Sequence, residues 1–444
     1  MLSIAFAISL FGGAPSLTDT VNTLKAKGLG ELGAYRLLEE LSGGIGPRIA
    51  GSENAARAVD WGEATMKKLG FQNVRRIPCM VPHWVRGKVE KLEVGGIPLS
   101  CCALGNSLGT PAGGIAAPVI EVHSLKEAEA LGARAKGKII FFNRPFDSSL
   151  VSTFNAYGTV GDQRFQGPSV AAKLGAAAAL VRSMTGDNDD VSHTGTTGFG
   201  SGAKVPCVAL GLQSADRLSH ILKGAPETEV RLTLDCETLP DVQSADVVGE
   251  IVGTERPNEV IVMGGHLDSW DKGRGAHDDG AGVVQALDAL RVIHDLGWKP
   301  KRTIRVVLWM NEEISGTGSA AYLAYAKKAP ERQLAAMESD SGGFAPRAFG
   351  TSLTGRRAAR LNRWLPAFQT LEVDHFTPGG ESGADVEGLA ELKTALFGLE
   401  VESQRYFDYH HSDKDTIDKV NPRELQLGSL NMALLAWLIS ENGI

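Results

Sequence analysis

The chain is poor in the features that mark disulfide-stapled, nucleic-acid-binding or membrane-spanning proteins. Its 444 residues include five cysteines (Cys79, Cys101, Cys102, Cys207, Cys236), none in a CxxC spacing. A closed structural metal site built on thiolates is therefore not expected, and an odd count leaves at least one thiol without a partner in the chain. Buried free thiols are the expectation. Basic residues are outnumbered, 45 against 52 acidic, for a net charge of -7. The basic stripe that a nucleic-acid partner calls for is missing. Beyond the N-terminus no apolar run approaches the ~20 residues that span a bilayer. Neither a fixed-period repeat nor a long low-complexity tract is visible.

What is present is a hydrophobic content of 43%, enough for a sizeable core, and a length that fits one large domain with a smaller one. Residues 1–16 carry an apolar run with a small-residue exit, without a basic leader, and read as a signal peptide. A secreted or periplasmic location is the corresponding expectation.

Residues 18–42 and 53–69 show helical spacing, separated by the loop Gly43-Gly44-Ile45-Gly46-Pro47 and Arg48. From about Leu104 to Val242 the texture changes to short β-like runs (118–122, 138–142, 205–210) around an alanine-rich helix expected at 170–181. This stretch reads as a small β-rich domain inserted at 105–241, with 17–104 and 242–444 forming the main domain. After Val247 strands are expected at 247–252, 259–265, 303–310, 334–339 and 394–400, and helices at 280–295, 316–328, 355–368 and 422–440. Such alternation predicts an α/β fold, a mixed, mainly parallel central sheet with helices on both faces.

Chemistry-bearing residues gather where these strands end. They are His266-Leu267-Asp268, Asp278-Asp279-Gly280, Asn311-Glu312-Glu313, Glu338-Ser339-Asp340 and His410-His411-Ser412-Asp413-Lys414-Asp415-Thr416. Each alone has an ordinary explanation: a hydrogen-bonded loop pair, a helix cap, favourable dipole chemistry or a solvated loop. Their coincidence at successive element ends does not. Imidazole with carboxylate suits zinc or a similar first-row ion, and two close cations need an anion between them, which one carboxylate can supply.

With Gly46-Pro47-Arg48-Ile49-Ala50-Gly51-Ser52 and Gly264-Gly265-His266 added to these clusters, the chain resembles the di-zinc exopeptidases. That group includes bacterial leucyl aminopeptidases, glutamate carboxypeptidase II and, most closely, carboxypeptidase Q. The resemblance covers nearly everything after about residue 18. It implies two Zn²⁺ per chain, with His266 and Asp340 on one, Glu313 and His411 on the other, and Asp278 bridging both. It also implies Glu312 as general base, Asp268 as the carboxylate that orients His266, and a cis peptide between Asp278 and Asp279. His411 is preferred to His410 by its spacing to Asp415-Thr416, and His277 is left as an ordinary loop residue. The inserted segment looks like a protease-associated domain, and the implied activity is hydrolysis of dipeptides or short peptides, with homodimers common in the family.

Three other readings compete. Gly105-Asn106-Ser107-Leu108-Gly109 matches a serine-hydrolase elbow, but Gly109-Thr110-Pro111 follows where a helix is required. A peptide-binding relative without turnover would have lost ligands, and an aminoacyl cyclase would need one zinc; the complete donor set argues against both. Arg48, His375, Gly383-Ala384-Asp385 and Tyr409 stand as candidate substrate-pocket walls, with ordinary loop positions as the alternative.

Overall fold

The computed structural model describes residues 16–444. The signal-peptide reading covers residues 1–16, and all of these but Ser16 lie outside the described residues. Among the described residues no helix is long and apolar enough to cross a membrane.

Two eight-stranded sheets organise the chain. In the first, the order is Gln72–Val85, Glu237–Ile251, Arg302–Trp309, Arg256–His266, Arg332–Glu338, Ala395–Val401, Pro346–Thr351, His375–Pro378. Four of its pairings are parallel and three antiparallel, so it is mixed and mainly parallel.

Side-chain alternation explains why helices cover both faces. In Arg256–His266, Ile261 and Met263 join one core and Val260 and Val262 the other. In Arg302–Trp309, Ile304, Val306 and Leu308 face the first core, Val307 and Trp309 the second. Strands buried on both sides read as unbroken apolar runs, as here. Helices Ala281–Asp295 and Pro422–Asn442 close the first face, while Tyr322 and Ala326 of Thr317–Lys328 close the second. The last helix starts on an Asn421 cap whose side chain accepts from the N–H groups of Arg423 and Glu424.

The second sheet runs Ile97–Leu99, Glu90–Val94, Glu229–Leu234, Ile115–Val122, Ile139–Phe142, Ala178–Arg182, Cys207–Leu210, Cys101–Ala103. Its strands begin at Glu90, so part of the stretch 17–104 assigned to the main domain pairs here. The early strands are short and partly exposed, and their texture merges with the strand that precedes them.

The expected helix at 170–181 is corrected. It stops at Lys173, and Ala178–Arg182 is a strand paired in parallel on both sides. Alanine and leucine favour helix intrinsically, but a short, fully buried apolar run fits a parallel strand equally well. The segment 355–368 is broken into short helical turns, and the strands Pro346–Thr351 and His375–Pro378 were not foreseen. All five cysteines are free, four of them buried.

Candidate metal centre

Three neighbouring parallel strands, Arg302–Trp309, Arg256–His266 and Arg332–Glu338, deliver their carboxyl ends to one edge of the first sheet. His266 closes its strand; Asn311-Glu312-Glu313 and Asp340 follow the other two. Ligands gather at such strand ends in open α/β sheets. The turn Ala276–Gly280, which contains a cis peptide between Asp278 and Asp279, brings the aspartate pair over the same edge, and His410-His411 arrive from after Ala395–Val401.

The Asp278 carboxylate lies at the centre. Its Oδ1 is 3.2 Å from His266 Nε2, and its Oδ2 is 3.1 Å from His411 Nε2. On one side His266 Nε2 is 3.6 Å from Asp340 Oδ1 and 4.0 Å from Glu312 Oε2. On the other, His411 Nε2 is 3.1 Å from Glu313 Oε2. Asp278, Glu312, Glu313, Asp340, His410 and His411 line a cavity of 200 Å³. The structure thus brings His266, Asp278, Glu312, Glu313, Asp340 and His411 together.

His410 and Asp279 are close enough to share a cation with these groups. Asp279, however, accepts the N–H of His266 at 3.0 Å with one oxygen and that of Gly282 at 2.9 Å with the other. His410 Nε2 is 3.6 Å from Asp278 Oδ2, and its ring stacks on His411 with centroids 3.5 Å apart.

Asp268 differs from its expected place. The hydrogen bond at His266 Nδ1 goes to the backbone carbonyl of Asp268 at 3.1 Å, while the carboxylate stands 3.8 Å off. That carboxylate instead accepts the N–H groups of Asn311 (2.6 Å) and Glu312 (3.2 Å) and so holds the turn that presents Glu312 and Glu313. Asn311 adopts φ +71°, a left-handed conformation that asparagine tolerates.

Several positioning groups escaped the sequence reading. Asp415 accepts from the N–H groups of Ala276, His277 and Asp278 at 3.1, 2.7 and 3.1 Å, fixing the turn that aims Asp278. Arg48 is fully buried and donates to the carbonyls of Leu267 (2.6 Å), Arg274 (2.9 Å) and Gly275 (2.9 Å). It braces that loop and lines no substrate space. Gly275 sits at φ +55°, where a Cβ would collide with Ser269, so the brace depends on glycine there.

Of the other proposed wall residues, His375 is exposed on the edge strand and Tyr409 stacks on His277. Asp385 is buried, its N–H donating to Glu338 at 2.9 Å. Gly383 and Ala384 line a neighbouring cavity. His277, left as a loop histidine, stacks with both Phe344 and Tyr409 and accepts the Gly343 N–H at 3.1 Å.

The second sheet's segment completes the wall: Tyr157, Arg164 and Thr196 line the same 200 Å³ cavity. The Thr194 carbonyl is 3.3 Å from His411 Nδ1, the Thr194 N–H donates to the His411 carbonyl at 2.8 Å, and His193 Nδ1 meets the His410 carbonyl at 2.7 Å. Only tertiary packing could reveal this.

Burial, reinforced by the charges of Asp340, Glu313 and Asp385, holds the Glu312 carboxyl well above its usual range. Burial also raises Glu313 and Asp340. For Asp278 burial pushes upward too, but hydrogen bonds from His266 and His411 outweigh it and hold the carboxyl well below. This many acids cannot ionise together at neutral pH without cations to offset them. Buried oxygens without hydrogen-bond partners point the same way: Glu313 Oε1 and Asp340 Oδ1. An imidazole–carboxylate donor set with orphaned oxygens fits divalent first-row ions.

Comparison with known proteins agrees with the fold. Residues 246–436 match the model of peptidase family M28. Carboxypeptidase Q of Bos taurus is 31% identical over 99% of this chain and 96% of its own length. A peptidase M28 precursor from Shewanella amazonensis is 32% identical, with a TM-score of 0.92, covering 96% of this chain and 97% of that one. A zinc aminopeptidase from Bacillus subtilis shares the fold at 20% identity and a TM-score of 0.66, covering 91% of this chain and 94% of its own. The chain belongs to peptidase family M28.

Proposed function

We propose that this protein is a zinc-dependent exopeptidase that hydrolyses dipeptides or short peptides at the Asp278-centred cavity. The observation that carries the reading is the Asp278 carboxylate, whose two oxygens face separate imidazole–carboxylate sets on either side. His266 and Asp340 would hold one zinc, His411 and Glu313 the other, and Asp278 both. His411 is preferred to His410 because its Nε2 reaches Asp278 and Glu313 alike. Asp279 is left out because its oxygens already hold backbone N–H groups. When bound, the two ions supply a nucleophile at neutral pH and positive charge for the scissile carbonyl.

The remaining chemistry belongs to side chains. Glu312, with a carboxyl raised by burial and free of hydrogen-bonding neighbours on its own turn, takes the proton of the attacking water and returns it to the leaving amine. Asp268 keeps it in place through the Asn311 and Glu312 N–H groups. Thr194 fixes the ring of His411 through Nδ1, the support a ligating imidazole needs.

The curated relative's name supports carboxypeptidase action, and the Bacillus neighbour's title supports aminopeptidase action and zinc. The inserted segment is assigned as a protease-associated domain, here with its strands starting at Glu90, and export and homodimer formation belong to the same proposal. The test is elemental analysis with a dipeptide assay. Two zinc equivalents per chain and turnover that a chelator abolishes and zinc restores are expected. Turnover that survives complete metal removal would overturn the reading.

A further inference from the structure

A second, larger cavity of 860 Å³ adjoins the catalytic one and shares Tyr157, Asp340, Tyr406 and His410 with it. Its size is that of a small-ligand site, commonly ~300–1,000 Å³. Its walls include the aromatics Phe154, Tyr157, Tyr406 and Phe407 and the acids Glu338, Asp340, Glu381 and Glu400. Neither lysine nor arginine lines it.

Two of these acids, Glu381 and Glu400, are not consumed by the fold. Among the described residues Glu381 and Glu400 form no ion pair, and the Glu400 side chain accepts only from the Thr377 hydroxyl, at 3.3 Å. Glu338 is 1% exposed. Its Oε2 accepts from the Asp385 and Val386 N–H groups at 2.9 and 3.2 Å, but its Oε1 has no partner at all. A carboxyl oxygen this deep without a partner is costly.

The geometry points to a recognition pocket for a cationic amino-acid side chain, with the aromatic wall against its methylenes and Glu381 and Glu400 at its charged tip. Lysine- and arginine-bearing short peptides are then the preferred substrates. Long basic side chains lay apolar stems along aromatic surface and place the cation among acceptors or over a ring face. The inference rests on the exopeptidase reading and refines it. A peptide's terminal amine is also a cation, but every substrate carries it, so it cannot produce discrimination between side chains.

The test compares kcat/KM of the zinc-loaded full chain for Lys-Ala, Ala-Lys and the matched norleucine-Ala and Ala-norleucine, which keep the stem and lack the charge. Lysine is expected to lead norleucine by about tenfold in one of the two positions. In the Glu381→Gln/Glu400→Gln variant that ratio should fall toward unity. As a readout independent of turnover, calorimetry on the Glu312→Gln protein should show the lysine dipeptide binding more tightly than its norleucine match. Equal rates and equal binding for both side chains, or a ratio that survives the double substitution, would overturn the pocket while leaving the exopeptidase intact. Binding of the lysine peptide without turnover by the unsubstituted protein would instead sink the exopeptidase reading and keep the pocket.

Discussion

Adjacent glutamates with different surroundings divide the labour at the site. Glu313 is 5% exposed and 3.1 Å from His411, whereas the Glu312 side chain reaches the cavity and touches His266 only at 4.0 Å. A carboxylate locked onto a cation carries protons poorly, so the freer of the two must do so. Glu312→Gln is therefore expected to lower kcat by ~10²–10⁴ while zinc stoichiometry stays at two. Glu313→Gln should lower the stoichiometry itself. Metal analysis beside steady-state kinetics separates the two, and loss of both properties in both variants would erase the distinction. The gathering of these residues was legible in the sequence because so many carboxylate and imidazole clusters coincide at successive element ends. The support of Asp415 and Arg48 was not, since both act on backbone groups far away in the chain.

Elements decide how precisely those side chains are held. Helix Ala281–Asp295 starts directly under the site, and a Cβ on Gly282 would run into the Ser339 carbonyl and the Asp279 carboxylate. Gly282→Ala should thus cost ~1–3 kcal/mol in a urea titration, by forcing helix and strand end apart. It should also weaken zinc binding, because Asp340 follows Ser339. The segment that carries the second sheet has its own sensitivity to pH. Burial keeps His193 neutral and pushes its pKa down to about 4, beneath the usual 6.5. The unfolded chain then takes up the proton first, so stability is lost as pH falls from about 6.5 toward 4, by ~1.4 kcal/mol per unit from this group. His193→Asn should flatten that slope in denaturation curves at pH 4.5, 5.5 and 6.5, and an unchanged slope would exclude the residue. Strongly periodic elements were readable in advance: the helix expected at 280–295 is Ala281–Asp295, and the strand expected at 303–310 is Arg302–Trp309. In the second sheet the runs expected at 118–122, 138–142 and 205–210 are strands, whereas Ala178–Arg182 was not readable as one, because four or five buried apolar residues carry no period that separates strand from helix.

At the scale of the molecule, the first sheet ends in a concentration of acids that only the whole fold assembles. Asp268, Asp278, Glu313, the pair Glu338 and Asp340, and Asp385 come from separate stretches of chain, and most carry a buried oxygen without a partner. Self-repulsion among them opposes compactness, and tightly bound cations reverse its sign. Zinc binds the folded form and not the dispersed residues of the unfolded one, so at about 1,000 times its Kd it should add ~4 kcal/mol of stability. Chelated protein is therefore expected to melt well below the zinc-loaded form in calorimetry, with full recovery on re-addition of zinc. The loss should concentrate where the acids meet: amide exchange should speed up in Asn311–Glu313, Ala276–Gly280 and the His410-His411 turn before it does in helix Pro422–Asn442. A chelated protein with an unshifted midpoint would mean that the acids are balanced by protons alone, and the two-cation centre would fall with that result.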